Sequence, residues 1–368
     1  MSGAGITADE LRDSIREVLD GAVDFASFLK SDQVARLQRS NELWNNMISL
    51  GWLGLATEER FGGLGLGFRE LGVLFEELGR YLIPLPVLPT LMSAQAVSLV
   101  GSEEQKSEWL PGLAAGARRA TVALPAFNDT LPVVSADGAV SGRISHVLYA
   151  DQVDEILLPV RGFDGAVCLG FFEAGSVGVH VQARDAIDLT RTLAEVRLAG
   201  AHLFPDRLLR LESQHWEALV DFAAAALACD SIGGARHIME RTVAYMGARK
   251  QFDRPIGSFQ ALKHRMATLK IQLEGVTALT RHACDLLGSA ESGGAAAVSC
   301  AKFSACDAYV AVAEDSVQLH GGIGFTWDHE CHLFLKRAKL NAELFGCSTQ
   351  HRERVARLAF GYDRRDAS

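Results

Sequence analysis

The chain is short of positive charge: 36 Lys and Arg against 45 Asp and Glu leave a formal net charge of -9. That balance argues against nucleic acid as a main partner, although local basic clusters can still meet an anionic cofactor. The first residues lack an apolar core and carry Asp9, Glu10 and Asp13 instead, so no signal peptide is expected. No run approaches the roughly 18 apolar residues of a membrane span, and none is expected. Seven cysteines, an odd number without framework spacing, suit reduced thiols in a cytoplasmic protein. Metal is not expected either, since His329-Glu-Cys-His332 sets two histidines at i, i+3 with no second ligand pair. A phosphate loop is also missing. Phe61-Gly-Gly-Leu-Gly-Leu-Gly67 has no G-x-G-x-x-G order, no preceding strand and no Walker lysine, and reads as a flexible connector between helices.

What is present is apolar bulk. With 368 residues, 48% of them hydrophobic, the chain can bury a large core in two or three domains. Leu11, Ile15, Val18 and Leu19, then Trp44, Met47, Ile48 and Trp52, mark amphipathic helices. Pro84, Pro86 and Pro89 punctuate the helical stretch. From Thr121 the period changes from 3.6 to 2, as in Val177-Gly-Val179-His-Val181, and Asp137-Gly138, Asp164-Gly165 and Gly175-Ser176 supply turns. After Pro205 helical patterns over 211–250, 260–289, 295–320 and 330–359 make a four-helix bundle. The fold class is α+β, with an N-terminal helical domain over 1–120, a middle antiparallel β-domain over 121–208 and a C-terminal bundle over 209–368.

Two breaks in the bundle carry unusual chemistry. Between the stripe of Ala235, Ile238/Met239, Thr242/Val243 and Met246 and that of Leu262, Met266, Leu269, Leu273 and Val276, Pro255 and Gly257 force a stop and restart. Just before lie Arg249, Gln251 and Phe252, which on spacing alone are a C-terminal dipole partner, an amide and a core ring. The second break is Gln318-Leu-His-Gly-Gly-Ile-Gly-Phe-Thr-Trp327, whose glycines tolerate positive φ and close approach of a ligand.

Arg249-x-Gln-Phe followed by Pro-Ile and Phe-Gln resembles the signature of the FAD-dependent acyl-CoA dehydrogenases. Leu-Gly-Trp-Leu-Gly-Leu at 50–55, Phe-Gly-Gly-Leu-Gly at 61–65, Glu-Glu-Leu-Gly-Arg at 76–80 and Glu-Gln-Lys…Trp-Leu-Pro…Gly at 104–116 resemble the family's N-terminal landmarks. The resemblance implies that Arg249, Gln251, Phe252, Gln318, Gly321 and Gly322 contact FAD held mainly by a neighbouring chain. Arginine suits a pyrophosphate because it stays charged and donates in parallel.

The elements that would serve this chain's own flavin depart from the pattern. Ala-Leu-Pro-Ala-Phe-Asn-Asp-Thr-Leu at 123–131 replaces the usual Thr-Glu-Pro-x-x-Gly-Ser-Asp, and Ser145-His-Val-Leu-Tyr149 replaces an aromatic-Ile-Ser/Thr segment, with Tyr149 left to stack or to pack. Gly346-Cys-Ser-Thr349 replaces Gly-Thr-x-Gln. The reaction needs a carboxylate to take the α-proton while the β-hydride goes to flavin. Its usual position falls on Phe345, and the alternative position on Ala223. Asp230 and Glu343 are the remaining candidates, although a carboxylate in either place is more often structural or surface than a base. The combination resembles one subunit of a heterotetrameric (α2β2) acyl-CoA dehydrogenase acting on a bulky, steroid-type acyl-CoA, with an electron-transfer flavoprotein-like acceptor. A self-sufficient homo-oligomer using Asp230 or Glu343, and a flavin-free acyl-CoA-binding relic of the fold, are the alternatives.

Overall fold

The structure, a computed structural model, describes residues 7–31, 33–125, 130–162, 164–287 and 293–361. Helices α1 (Ala8–Ala22), α2 (Phe25–Lys30), α3 (Gln33–Ser49), α4 (Phe68–Arg80), α5 (Val87–Val100) and α6 (Glu103–Ala114) come first. Strands β1 (Ala120–Val122), β2 (Val133–Val134), β3 (Ala139–Leu148), β4 (Glu155–Arg161), β5 (Val167–Glu173), β6 (Val179–Arg184), β7 (Leu193–His202) and β8 (Leu208–Arg210) follow. Helix α7 (Ser213–Ala248) leads into a hairpin of β9 (Lys250–Gln251) and β10 (Arg254–Pro255). Helices α8 (Gln260–Leu287), α9 (Gly294–His320), α10 (Cys331–Glu343) and α11 (Ser348–Phe360) end the described chain. Helices, then a sheet, then helices is the expected α+β order. The chain forms two compact units, one of residues 1–39, 67–83 and 224–368, the other of 40–66 and 84–223.

The second unit is built on an eight-stranded sheet of order β6-β7-β3-β2-β4-β5-β8, with β1 also on β4. Its ladders are antiparallel except that β1 and β2 each run parallel to β4, so the expected antiparallel domain is mixed at that strand. The chain passes through β3 before β4, a detour long enough for a parallel return. Leu157, Leu158, Val160 and Leu169 in β4 and β5 are fully buried, which explains their short unbroken apolar runs. Strands β3 and β7 alternate buried and exposed residues, so one face meets water. The glycine-rich connector is pinned: Leu64, Gly65 and Leu66 donate backbone bonds of 2.8–2.9 Å to Gly54, Thr57 and Leu55.

In the first unit a capping box between Thr7 and Glu10 starts α1, whose Leu11, Ile15 and Leu19 are buried. Glu77 on α4 is fully buried and accepts two 2.9 Å bonds from Arg16 of α1. Helices α4 and α7 cross at backbone contact. A Cβ on Gly79 would lie 2.1 Å from the Asp230 carbonyl, and one on Gly233 1.7 Å from the Glu76 carbonyl. Ala235, Ile238 and Met246 of α7, Met266, Leu269 and Leu273 of α8, and Tyr309, Val312 and Phe334 of α9 and α10 form the core. The α7 stripe resolves onto Thr242, which is buried, while Val243 is 52% exposed.

Two sequence expectations change here. The pattern over 330–359 is two helices, because Phe345 (φ 55) and Gly346 (φ 107) turn the chain between α10 and α11. Among the described helices, Ser213–Ala248 and Gly294–Phe325 are long and apolar enough to cross a membrane, whereas no such run was expected. Their apolar windows are 89% and 50% buried inside the fold, and the first is the alanine-rich core helix of the unit.

Candidate functional site

The end of α7 builds the first half of the site. Arg249 closes the last helical turn through its N–H to the Tyr245 carbonyl (2.8 Å), and its own carbonyl accepts from Ile256 (2.8 Å). Between these bonds Gln251 pairs with Arg254 across a two-residue hairpin loop. The loop residues, Phe252 (φ 53) and Asp253 (φ 61), are both left-handed, as the tight hairpin turn with matching twist requires. Asn-Gly is the usual occupant of such a turn. A phenylalanine there stores about 1–3 kcal/mol of strain, and this one is 87% exposed. The ring contacts Phe259 edge-on at 6.2 Å, and the Arg254 guanidinium lies over Phe259 at 4.0 Å. The reading of Phe252 as an ordinary core ring is therefore replaced by a rigid apolar tip held in water. Arg249 and Gln251 are exposed beside it.

The second half follows α9. Gly321 ends the helix at φ 66, and a Cβ on Gly321 or Gly322 would meet nothing within 4 Å, so both present open backbone. Gln318 is exposed one turn earlier. Ile323 (48%), Phe325 (75%) and Trp327 (67%) expose their side chains just beyond. Tyr245 joins the halves: its ring stacks on His320 at 4.4 Å and its hydroxyl donates to the His320 carbonyl at 3.4 Å. The Tyr245–His320 contact thus sets the last turn of α7, which leads into Arg249, Gln251 and Phe252, against the end of α9, which leads into Gly321 and Gly322. The two segments carry a fixed cation, glycine backbone that a ligand can approach closely (the Gly321 N–H itself caps α9 on the Gln318 carbonyl) and solvent-facing aromatics, a set that fits a diphosphate attached to flat rings.

The carboxylate candidates lie elsewhere in the same unit. Asp230 is 5% exposed, and its two oxygens accept from Arg337 Nη1 (3.1 Å) and Asn341 Nδ2 (2.7 Å). Glu343 is exposed at the end of α10. Phe345 is half-buried, and Ala223 is fully buried in α7. The turn at Phe345 is anchored by groups that no sequence pattern had singled out. Lys302, 1% exposed, donates to the carbonyls of Asn341 (2.8 Å) and Gly346 (3.1 Å). His351 Nε2 donates to the Phe345 carbonyl (3.1 Å), and burial pushes that imidazole down to about 4. Their partners lie 44 and 6 residues away, with no local signature.

In the sheet unit, residues 126–129 of the segment at 123–131 lie outside the described residues. Tyr149 is buried at φ 53 with its hydroxyl on the Thr190 carbonyl (3.1 Å), so its ring packs inside. The histidine motif also rearranges. His329 groups with His320 and Cys331, their ligand atoms within 4.8 Å of one another, while His332 is outside the group and meets Trp327 edge-on at 5.0 Å. His320 Nδ1 donates to the Ser316 carbonyl (2.8 Å). Burial lowers both imidazoles of the group and pushes the Cys331 thiol up to about 12.

Comparison with known proteins assigns the family. Residues 7–117 match the model of the acyl-CoA dehydrogenase N-terminal domain, and residues 216–360 that of the C-terminal domain. Acyl-CoA dehydrogenase IpdE2 of Mycolicibacterium smegmatis is 32% identical over 95% of this chain and 98% of its own length. The ChsE4–ChsE5 complex of Mycobacterium tuberculosis superposes with a TM-score of 0.87 at 27% identity, over 97% of this chain and 98% of the matched one. The Tcur3481–Tcur3483 steroid ACAD does so with a TM-score of 0.84 at 27% identity, over 98% and 99%. The chain belongs to the acyl-CoA dehydrogenase family, a family of oxidoreductases.

Proposed function

We propose that this chain is one subunit of a cytoplasmic, FAD-dependent acyl-CoA dehydrogenase complex that forms the α,β-double bond of a bulky, steroid-type acyl-CoA. One observation carries the reading: an exposed Phe252 held at positive φ three residues after Arg249, in a chain whose usual base position is Phe345. A ring held at positive φ in water makes physical sense when a second surface covers it. Arg249, Gln251, Gln318 and the backbone of Gly321 and Gly322 would hold the diphosphate side of FAD, and Phe252 would pack on its rings. When bound, FAD supplies the hydride acceptor. A phenyl side chain takes no proton, so a homologous partner, in an α2β2 arrangement, would bring the carboxylate and the in-chain half of the flavin site. An electron-transfer flavoprotein-like acceptor would receive the electrons. The divisions at residues 120 and 208 mark the proposed limits of the helical, sheet and bundle domains. That two of the similar structures are two-chain assemblies by their names supports the partner.

The homo-oligomeric reading needs Asp230 or Glu343 as base. Asp230 is disfavoured by its fully engaged carboxylate, and Glu343 is an exposed helix-end residue. Co-expression with a homologous chain, followed by reduction of the bound flavin with an acyl-CoA thioester, tests the proposal. The Asp230→Asn and Glu343→Gln variants should each bleach flavin in the assembled complex at the wild-type rate. Loss of bleaching in a stably folded variant transfers the base to this chain and sinks the half-site reading.

A further inference from the structure

The chain's cysteines are free thiols, and two of them meet. Cys229 of α7 and Cys284 of α8 are 55 residues apart in sequence, yet their sulfurs are 3.5 Å apart and both residues are buried. Among the described residues no other two cysteines are in sulfur contact. Helix α4 closes over the pair at its glycine: a Cβ on Gly72 would lie 3.2 Å from Cys284 Sγ and 3.4 Å from Cys229 Sγ. Any larger residue would crowd both sulfurs, so Gly72 lets three helices meet around them. The two thiols line a cavity of about 310 Å³, within the first unit, whose rim carries the exposed Asp9, Arg69, Arg281 and Asp285. That rim gives a small polar solute an approach to an otherwise sealed pair. The hydrogen bond to Cys284, and then burial, push the Cys229 thiol well up from its ordinary range. Cys229 therefore keeps its proton and points it at the neighbouring sulfur.

We propose that Cys229 and Cys284 are a modification site, a dithiol that a small hydroperoxide oxidises to a disulfide tethering α7 to α8. The Cys284 sulfur, as thiolate, attacks the peroxide; the O–O bond breaks, leaving a sulfenic acid and, after proton uptake, water. The Cys229 sulfur then attacks Cys284 Sγ, the S–S bond forms, and the hydroxyl leaves with the Cys229 proton as a second water. Two thiols lose two electrons and the peroxide gains them. A disulfide is about 2.05 Å long, so a relative shift of roughly 1.5 Å between the side chains closes the bond. The tether closes a loop that contains the whole Lys250–Pro255 hairpin, and so restricts the unfolded chain around the segment that carries Arg249, Gln251 and Phe252. The proposal goes beyond the flavin reading and does not depend on it.

The test treats the purified, reduced full-length chain with a graded series of hydrogen peroxide and reads intact mass, the cross-linked peptide and thermal unfolding. Wild type should lose about 2 Da, two hydrogens, through one cross-link between Cys229 and Cys284. Its unfolding midpoint should rise by roughly 5–15 °C, and dithiothreitol should reverse both changes. Cys229→Ala should stop at the sulfenic acid, trapped by dimedone on Cys284, and Cys284→Ala should give no adduct on Cys229. Peroxide that oxidises the half-buried Cys300 or Cys347 while Cys229 and Cys284 stay thiols overturns the proposal. A Cys229–Cys284 cross-link that leaves the midpoint unchanged or lower overturns the tether. Dimedone on Cys229 in Cys284→Ala, with none on Cys284 in Cys229→Ala, overturns the assignment of attacking and resolving sulfurs. The wild-type readings need no variant, so a substitution that fails to fold leaves the cross-link and midpoint tests standing.

Discussion

Replacing Asp230 by alanine separates a structural carboxylate from a catalytic one. Its oxygens accept from Arg337 (3.1 Å) and Asn341 (2.7 Å), and the carboxylate and guanidinium are 8% and 1% exposed. Removing the carboxylate leaves Arg337 charged and buried, a change that costs about 3–5 kcal/mol. Asn341 also loses an acceptor, although Ser231 Oγ remains at 3.0 Å. Against a total stability of about 5–15 kcal/mol, and about 2–4 °C per kcal/mol for a sizeable domain, the melting temperature should fall by on the order of 10 °C. The assay is thermal unfolding of the purified chain by circular dichroism, with flavin reduction measured on the co-expressed complex at a temperature where both proteins are folded. An Asp230→Ala protein that melts within about 1 °C of wild type would refute the structural assignment.

Three further outcomes follow from the same geometry. Gly233→Ala forces a methyl into the Glu76 carbonyl at the α4–α7 crossing and should abolish soluble expression or cost more than about 3 kcal/mol, checked by chemical denaturation. His237 has both ring nitrogens unpartnered and buried, and burial lowers its pKa to about 3, as it lowers that of His351 to about 4. Below about pH 6.5 the unfolded chain protonates these imidazoles and the folded chain does not. Stability should therefore be level above that pH and fall toward pH 3–4, by up to about 1.4 kcal/mol per pH unit for each imidazole. His237→Phe, which keeps the ring stacked on Phe334 at 5.0 Å, should be neutral or stabilising at pH 7 and should flatten the acid limb in a pH series of melts. Phe252→Ala should leave the isolated chain within about 0.5 kcal/mol of wild type while lowering flavin retention of the assembled complex, read as the absorbance ratio at 450 and 280 nm.

Much of the helical core was legible because helical period reports burial directly, and Ala235, Ile238, Met246, Met266, Leu269 and Leu273 all lie inside. Period does not decide between adjacent candidates, and so Val243 rather than Thr242 faces water. The turn at Phe345 was hidden because the apolar spacing runs through it and a bulky residue at positive φ has no sequence signal. Parallel pairing of β1 and β2 on β4, the α4–α7 glycine contact and the Asp230–Arg337–Asn341 network join residues far apart in sequence. The two motifs of the candidate site were readable as words, Arg-x-Gln-Phe and Gln-x-x-Gly-Gly. Their meeting through the Tyr245–His320 stack, and the exposure of Phe252, required coordinates.

The measurement that bears most directly on the account is the ratio of FAD to protein when this chain is expressed and purified alone, compared with the chain co-expressed with a homologous acyl-CoA dehydrogenase subunit. The half-site account predicts little or no flavin on the lone chain and restored, thioester-reducible flavin in the complex. One FAD per chain in the lone protein, bleached by an acyl-CoA thioester, would contradict it.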